Sequence, residues 1–303
     1  MYTIGIDVGG MSLVAGVVTR EGKLLGKANV PTTQSTNPQL LVNDLIAVAR
    51  EACVAADVEQ TNIAAIGLGF PGSVDEETVI YCCNIPCLLS PVKLPAMLRE
   101  QWDVPILLEN DANAAALGES KVGSAKGCDD VLLITLGTGV GGGIVIGGKV
   151  YAGFNHLGAE LGHMVIVHDG ELCGCGRKGC WESYASATAL IRMTRETMQV
   201  DPDTVTGRTA FDAMRAGDKV AASVVDRYIE MLGCGLINMI NILEPEVVCL
   251  GGGIANEGDA LIKPLTEIVN RGGYNKTARK TTIRKAVLGN DAGVIGAALA
   301  ANA

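Results

Sequence analysis

Between Gly158 and Glu182 the chain reads GAELGHMVIVHDGELCGCGRKGCWE, one short segment holding several carboxylates, two histidines and three cysteines. Cys173, Cys175 and Cys180 alternate with Gly174, Gly176 and Gly179, residues that let a backbone turn tightly enough for three thiolates to converge on one ion. His163, ten residues before Cys173, is near enough in sequence to be a fourth ligand. Three sulfurs and an imidazole make the closed tetrahedral set of a structural zinc site. The spacing is not that of a common finger, so the competing reading is three incidental cysteines. Thiols set among glycines, however, have no apolar core to pack into.

A second group of residues could handle phosphate. Asp111 stands after a strand and before a helix beginning at Ala112. That helix N-terminus offers partial positive charge that would keep the carboxylate ionised, as a base accepting a hydroxyl proton in phosphoryl transfer must be. The local sequence fits a helix N-cap equally well. Glu109 reads as the outward neighbour on the strand and is set aside. Asp7 is a candidate for holding magnesium through water, or for capping its glycine turn. Gly137–Gly142 and Gly67–Gly72 both match GxGxxG, but neither precedes a helix, which excludes a dinucleotide fingerprint; no GxxxxGK[ST] occurs. The chain instead has glycine turns between strands, Gly9-Gly10 followed by Ser12, and Gly137-Thr138-Gly139. Such turns can present backbone N–H groups to a triphosphate. Gly251, Gly252 and Gly253 end a later strand and could let an adenine lie flat against the backbone.

The elements that must position these residues follow from hydrophobic periodicity. Strands are expected at Tyr2–Ile6, Leu13–Thr19 and Leu24–Val30, then a helix over Leu40–Ala52, a strand at Ile63–Gly69, a helix at Pro95–Gln101, a strand at Pro105–Leu108 and a helix at Ala112–Val122. The pattern restarts with strands at Val131–Leu136, Gly143–Ile146 and Lys149–Ala152, and a long helix Lys219–Ile242 feeds a strand Val247–Leu250. Two βββαβαβα halves of an α/β chain, duplicated in topology though not in sequence, predict an actin-like ATPase (ribonuclease H-like) fold around a cleft. The expected domains are 1–115 with 290–303, and 116–289 carrying the zinc site.

Composition agrees. At 303 residues, 48% hydrophobic and 19% charged, the chain fits two well-buried domains and excludes disorder. A net charge of −9 leaves no basic footprint for nucleic acid. The ten cysteines accompany an N-terminus, MYTIGIDVGG, in which Asp7 interrupts any signal-peptide core, so reduced thiols in the cytoplasm are expected. The uncharged run Val131–Gly148 carries seven glycines and reads as strands around a turn rather than a membrane span.

DVGG, GFPGSVD, NIP, ENDANAAALGE, GTGVGGG, GAELGH, CGCGRKGCWE, LGGGIA and NDAGVIGAA run through nearly the whole chain, and together they resemble the ROK family of repressors and sugar kinases. The resemblance implies zinc on His163, Cys173, Cys175 and Cys180. It implies a sugar pocket lined by Asn84, Asn110, Asp111, Glu160, His163 and Glu182, with Gly72 beside it and Asp111 as catalytic base. Fixing the metal would also fix Glu160 and Glu182, which flank its ligands. His156 and His168 lack such company and read as surface residues. The implied activity is transfer of the γ-phosphoryl group of ATP, with Mg2+, to the 6-hydroxyl of a hexose, glucose first. Kinases for fructose, mannose, allose, N-acetylmannosamine or N-acetylglucosamine are the alternatives. A sugar-responsive repressor is disfavoured because no helix-turn-helix precedes the first glycine turn. ATP and polyphosphate both remain open as donors, and a homodimer or higher homo-oligomer is expected. Two departures stand out: Met11-Ser12 after DVGG, where the family usually has Thr and a Lys or Asn, and Cys87-Leu88 after NIP, where it often has Gly-Trp. With Cys82 and Cys83 the latter makes a thiol-rich loop, read as packing.

Overall fold

The computed structural model describes residues 1–201, 203–275 and 280–302. The chain divides into two compact units, 1–129 with 143–159 and 288–303, and 130–142 with 160–287. Segments 116–129 and 143–159, expected in the C-terminal domain, thus group with the first unit.

The first unit opens with β1 (Tyr2–Val8), β2 (Ser12–Val18) and β3 (Leu24–Pro31), an antiparallel meander. Helix α1 (Pro38–Ala56) is capped by the Asn37 side chain and carries Leu41, Leu45, Ile46, Val48, Ala49 and Ala52 into the core, as the helical spacing predicts. β4 (Ile63–Phe70) follows, then a small hairpin of β5 (Ser73–Val74) and β6 (Val79–Tyr81) that the periodicity does not reveal. α2 (Leu94–Arg99), β7 (Ile106–Asn110) and α3 (Asp111–Lys121) complete this stretch. The sheet order is β3-β2-β1-β4-β7, with β1, β4 and β7 parallel.

In the remainder of the chain β8 (Val131–Leu136), β9 (Val140–Ile146) and β10 (Lys149–Val150) form the second meander, and the boundary between the units falls inside β9. Helices α4 (Glu182–Ala185), α5 (Ala187–Met198), α6 (Thr209–Arg215) and α7 (Lys219–Leu243) precede β11 (Val247–Gly251), α8 (Asp259–Gly272), β12 (Thr282–Lys285) and α9 (Ala292–Ala300). The sheet order is β10-β9-β8-β11-β12, with β8, β11 and β12 parallel. The two sheets repeat one order of strands, the duplication expected from sequence.

The first sheet is covered on both faces. The side of Ile4, Ile6 and Leu68 packs with Leu41, Leu45 and Ala49 of α1. On the other side a Cβ on Gly5 or Gly67 would collide with the backbone of α9 at Val294 and Ala297, so these bare positions let that helix rest directly on the strands. Glu119, fully buried in α3, accepts hydrogen bonds from Ser124 N (2.7 Å) and Leu288 N (2.8 Å), tying the end of α3 to the point where the chain re-enters this unit. Among the described residues no helix is long and apolar enough to cross a membrane.

Candidate functional site

In the first unit the candidate residues collect where β1, β4 and β7 end, the edge at which open α/β sheets bind ligands. Asp7 pairs in register with Gly69, and Phe70 with Asn110. The Gly9-Gly10 turn closes through Gly9 N to Ser12 O at 3.0 Å. A Cβ on Gly10 would lie 2.8 Å from Cβ of Asn84, so the turn and the loop bearing Asn84 are in contact. Burial pushes the Asp7 carboxyl above its ordinary 3.8. A divalent cation beside it would offset that cost, which is the fit expected of a magnesium-holding residue.

Asn110 resolves the ambiguity at the start of α3. Its side chain accepts from Ala112 N (2.9 Å) and Asn113 N (3.2 Å), so Asn110 is the N-cap and Asp111 is the first helical residue. The Asp111 carboxylate accepts from Ala112 N at 2.7 Å. Asn110 Nδ2 also reaches Gly72 O at 3.4 Å.

Glu109 departs from the expectation of an outward side chain. It is half-buried, accepting from Asn113 Nδ2 (3.0 Å) and Asn110 N (2.9 Å), and burial raises its pKa above 4.5. Its i,i+4 relation to Asn113 was the available signal. The thiol loop departs in part: Cys82 and Cys87 are buried, but Cys83 is exposed with its Sγ 3.4 Å from Asn84 Oδ1.

In the second unit the ligand atoms of His163, Cys173, Cys175 and Cys180 all lie within 4.8 Å of one another. Cys175 Sγ and Cys180 Sγ are 3.7 Å apart, and Cys173 Sγ is 3.6 Å from His163 Nδ1. A tetrahedral ion with metal–sulfur bonds of about 2.3 Å sets its sulfurs about 3.8 Å apart, so the donor set and spacing fit zinc. Gly176 (φ 86°) and Gly179 (φ 81°) make the left-handed turns that bring the thiols round. Burial pushes the Cys180 thiol up, while the backbone at Arg177 draws Cys175 down.

Glu182 begins α4 directly after this cluster. Its Oε1 is 3.5 Å from Cys173 Sγ and its Oε2 accepts from Val140 N at 3.1 Å. Trp181, fully buried, anchors it: the indole N–H donates to Met231 O at 3.1 Å, and a Cβ on Gly235 of α7 would strike the ring. A brace that sequence reading missed joins the same elements. Arg192 Nη1 pairs with Glu171 Oε2 (2.8 Å), Nη2 donates to Ser183 O (2.9 Å), and Glu171 N donates to the Tyr184 hydroxyl (2.6 Å). Glu160 is exposed, just before the 3-10 turn Leu161–His163, and its carbonyl accepts from His163 N at 3.1 Å. His168 is exposed, and so is His156, whose charge acts weakly on Glu109.

The glycine runs Gly137-Thr138-Gly139 and Gly251-Gly252-Gly253 lie side by side, because β8 and β11 are parallel with Thr135 opposite Gly251. Gly252 (φ 82°) sits against the backbone of Leu136, where a Cβ would clash. Thr188 Oγ1 donates to Thr138 O at 2.8 Å, fixing the first run to α5. A cavity of about 290 Å³ opens there, lined by Thr138, Gly139, Glu182, Ser186, Thr188 and Arg192.

With this arrangement in view, the model described as ROK family matches residues 3–303. The chain belongs to the ROK family. This ROK chain is 38% identical to a glucokinase from Streptomyces coelicolor over 98% of its own length and 96% of that protein's. A ROK hexokinase from Thermus thermophilus matches its structure with a TM-score of 0.85 at 36% identity, covering 100% of this chain and 98% of the other. A ROK family glucokinase from Streptomyces griseus, solved in complex with glucose and AMPPNP, matches with a TM-score of 0.79 at 35% identity over 100% and 99% of the two chains. The fold is the actin-like ATPase fold read from the duplicated topology.

Proposed function

We propose that this ROK protein is an ATP-dependent hexose kinase that phosphorylates the 6-hydroxyl of glucose. The observation that carries the reading is the arrangement at the start of α3: the Asn110 side chain is the N-cap, and Asp111 stands at the first helical position with its carboxylate held against Ala112 N. In this reading the Asp111 carboxylate accepts the proton of the attacking hydroxyl, whose oxygen forms the new bond to the γ-phosphorus while the bond to the ADP oxygen breaks. Asn84, Asn110, Glu160, His163 and Glu182 supply acceptors and donors for the hexose hydroxyls, with Gly72 beside them. Gly9, Gly10, Ser12, Gly137, Thr138 and Gly139 present their backbone or hydroxyl groups to the phosphates, and Gly251–Gly253 seat the adenine. Asp7 would hold Mg2+, which neutralises phosphate charge when bound. His163, Cys173, Cys175 and Cys180 would hold zinc, whose role is to fix Glu160, His163 and Glu182.

The similarity to glucokinases across the full chain supports glucose and ATP as substrates. A coupled assay for ADP, run with a panel of hexoses and N-acetylhexosamines and with ATP or polyphosphate as donor, tests the proposal. Glucose with ATP is expected to give the highest kcat/KM. Turnover of an N-acetylhexosamine alone would replace the substrate, and no turnover with any sugar would overturn the kinase reading.

A further inference from the structure

The turn that follows the second glycine run is held at both ends, and one of the holds has no place in the chemistry above. At its near end Gly252 is wedged against the backbone of Leu136. At its far end stands Glu257, the last residue of the 3-10 turn Gly253–Glu257, with a side chain only 4% exposed. Its carboxylate is hydrogen-bonded by Nη2 of Arg215, from the end of α6. The guanidinium is itself oriented, by Asp212 Oδ1 at 2.9 Å from Nη1 and by the ring of buried Phe211, whose centroid lies 5.9 Å away. The approach to α6 also touches the turn, since a Cβ on Gly207 would come within 2.9 Å of Ile254 Cδ1.

We propose that Arg215 is a positioning residue for the phosphoryl donor: by pairing with buried Glu257 it holds the turn that carries Gly253 in the place where the nucleotide is received. This inference rests on the kinase reading and its assignment of Gly251–Gly253 to the adenine. The physical reason lies in the cost of a lone buried carboxylate. Without Arg215, the Glu257 carboxylate draws the turn toward water, because a buried charge stripped of its partner is far less stable than the pair. The hydrogen bond to Glu257 is also the largest influence raising Arg215 above the ordinary guanidinium pKa, in keeping with a strong pair. The turn lies between two glycines of positive φ, Gly252 (82°) and Gly258 (59°), so its course depends on residues that few side chains could replace and on the pair that holds its far end.

Four variants test the idea in steady-state kinetics with glucose and ATP, alongside melting curves and calorimetric titration with ADP. Arg215→Ala is expected to raise KM for ATP and weaken ADP binding roughly ten- to a hundredfold, as displaced positioning groups do, with KM for glucose unchanged. Glu257→Gln is expected to be milder, and Arg215→Ala/Glu257→Gln to recover part of the single-variant loss, since an amide needs no counter-charge. Gly253→Ala probes the seat itself: its Cβ would point into open space, so the fold tolerates it, but a base lying on that backbone would not. A fall in melting temperature with both KM values unchanged would reduce the pair to a stability element and overturn the proposal. If Gly253→Ala weakens ATP and Arg215→Ala does not, the strut fails and the seat stands. If neither weakens ATP in a wild-type-active kinase, the nucleotide lies elsewhere and the proposal falls with the seat. A wild type without hexose turnover would reject the kinase reading itself.

Discussion

Oε2 of Glu182 accepts a hydrogen bond from Val140 N at 3.1 Å, so a carboxylate assigned to the hexose is seated on the turn assigned to the phosphates. A Cβ on Gly139 would collide with that same oxygen. Gly139→Ala is therefore expected to raise KM for glucose by roughly ten- to a hundredfold, even though residue 139 belongs to the donor turn. Glucose affinity measured by intrinsic fluorescence without nucleotide isolates the effect. A change confined to the KM for ATP would break the proposed link.

Asp111→Asn preserves size and hydrogen bonding but cannot accept a proton. Glucose binding should survive while kcat falls by roughly two to four orders of magnitude. Because Asn110 is the cap, the melting temperature of this variant should match wild type. Asn110→Ala should lower stability by about 1 kcal/mol through loss of the cap. Near-normal turnover by Asp111→Asn would remove the carboxylate from the mechanism.

The strands and turns carrying the candidate residues were legible because glycine and alternating hydrophobics mark them locally: Gly9-Gly10, Gly137–Gly139 and Gly251–Gly253 all fall at strand ends. Glu109 was misread for a physical reason. Alternation along β7 puts it opposite Ile106 and Leu108, which in a half-wet sheet would mean solvent. This sheet is covered on both faces, and no outward side exists for it to take. The hairpin of β5 and β6 is too short to show a period, and β12 is masked by Arg284 and Lys285. Arg192 with Glu171, and Arg215 with Glu257, join residues distant in sequence, so no local pattern announces them.

Zinc should be present at about one equivalent per chain in protein purified without chelators, as measured by plasma emission. Cys175→Ser should lose the ion and raise KM for glucose, with ATP binding little changed, because Glu160, His163 and Glu182 flank or belong to the cluster. Full glucose affinity in metal-free protein would make the cluster incidental to the sugar.

Glu109 carries a pH signature. Its raised pKa means the folded chain holds that proton more tightly than the unfolded chain, so its stabilising contribution is complete below the ordinary 4.5 and is lost as pH rises through the raised value. Glu109→Gln, which keeps an acceptor for Asn113 Nδ2, should melt above wild type at pH 8, with the gap closing toward pH 4. A gap that stayed constant across this range would deny the carboxyl any titration difference between the two states.

The brace of Arg192, Glu171 and Tyr184 has a consequence for how metal arrives. Glu171 N on Tyr184 closes a loop that already contains Cys173, Cys175 and Cys180. An ion reaching it would meet three thiols whose tether ends are pinned, so the entropy of closing that loop would be met by folding rather than by coordination. If the site takes zinc, uptake would be a capture step, with the remaining thiols acting as intramolecular ligands at high effective concentration.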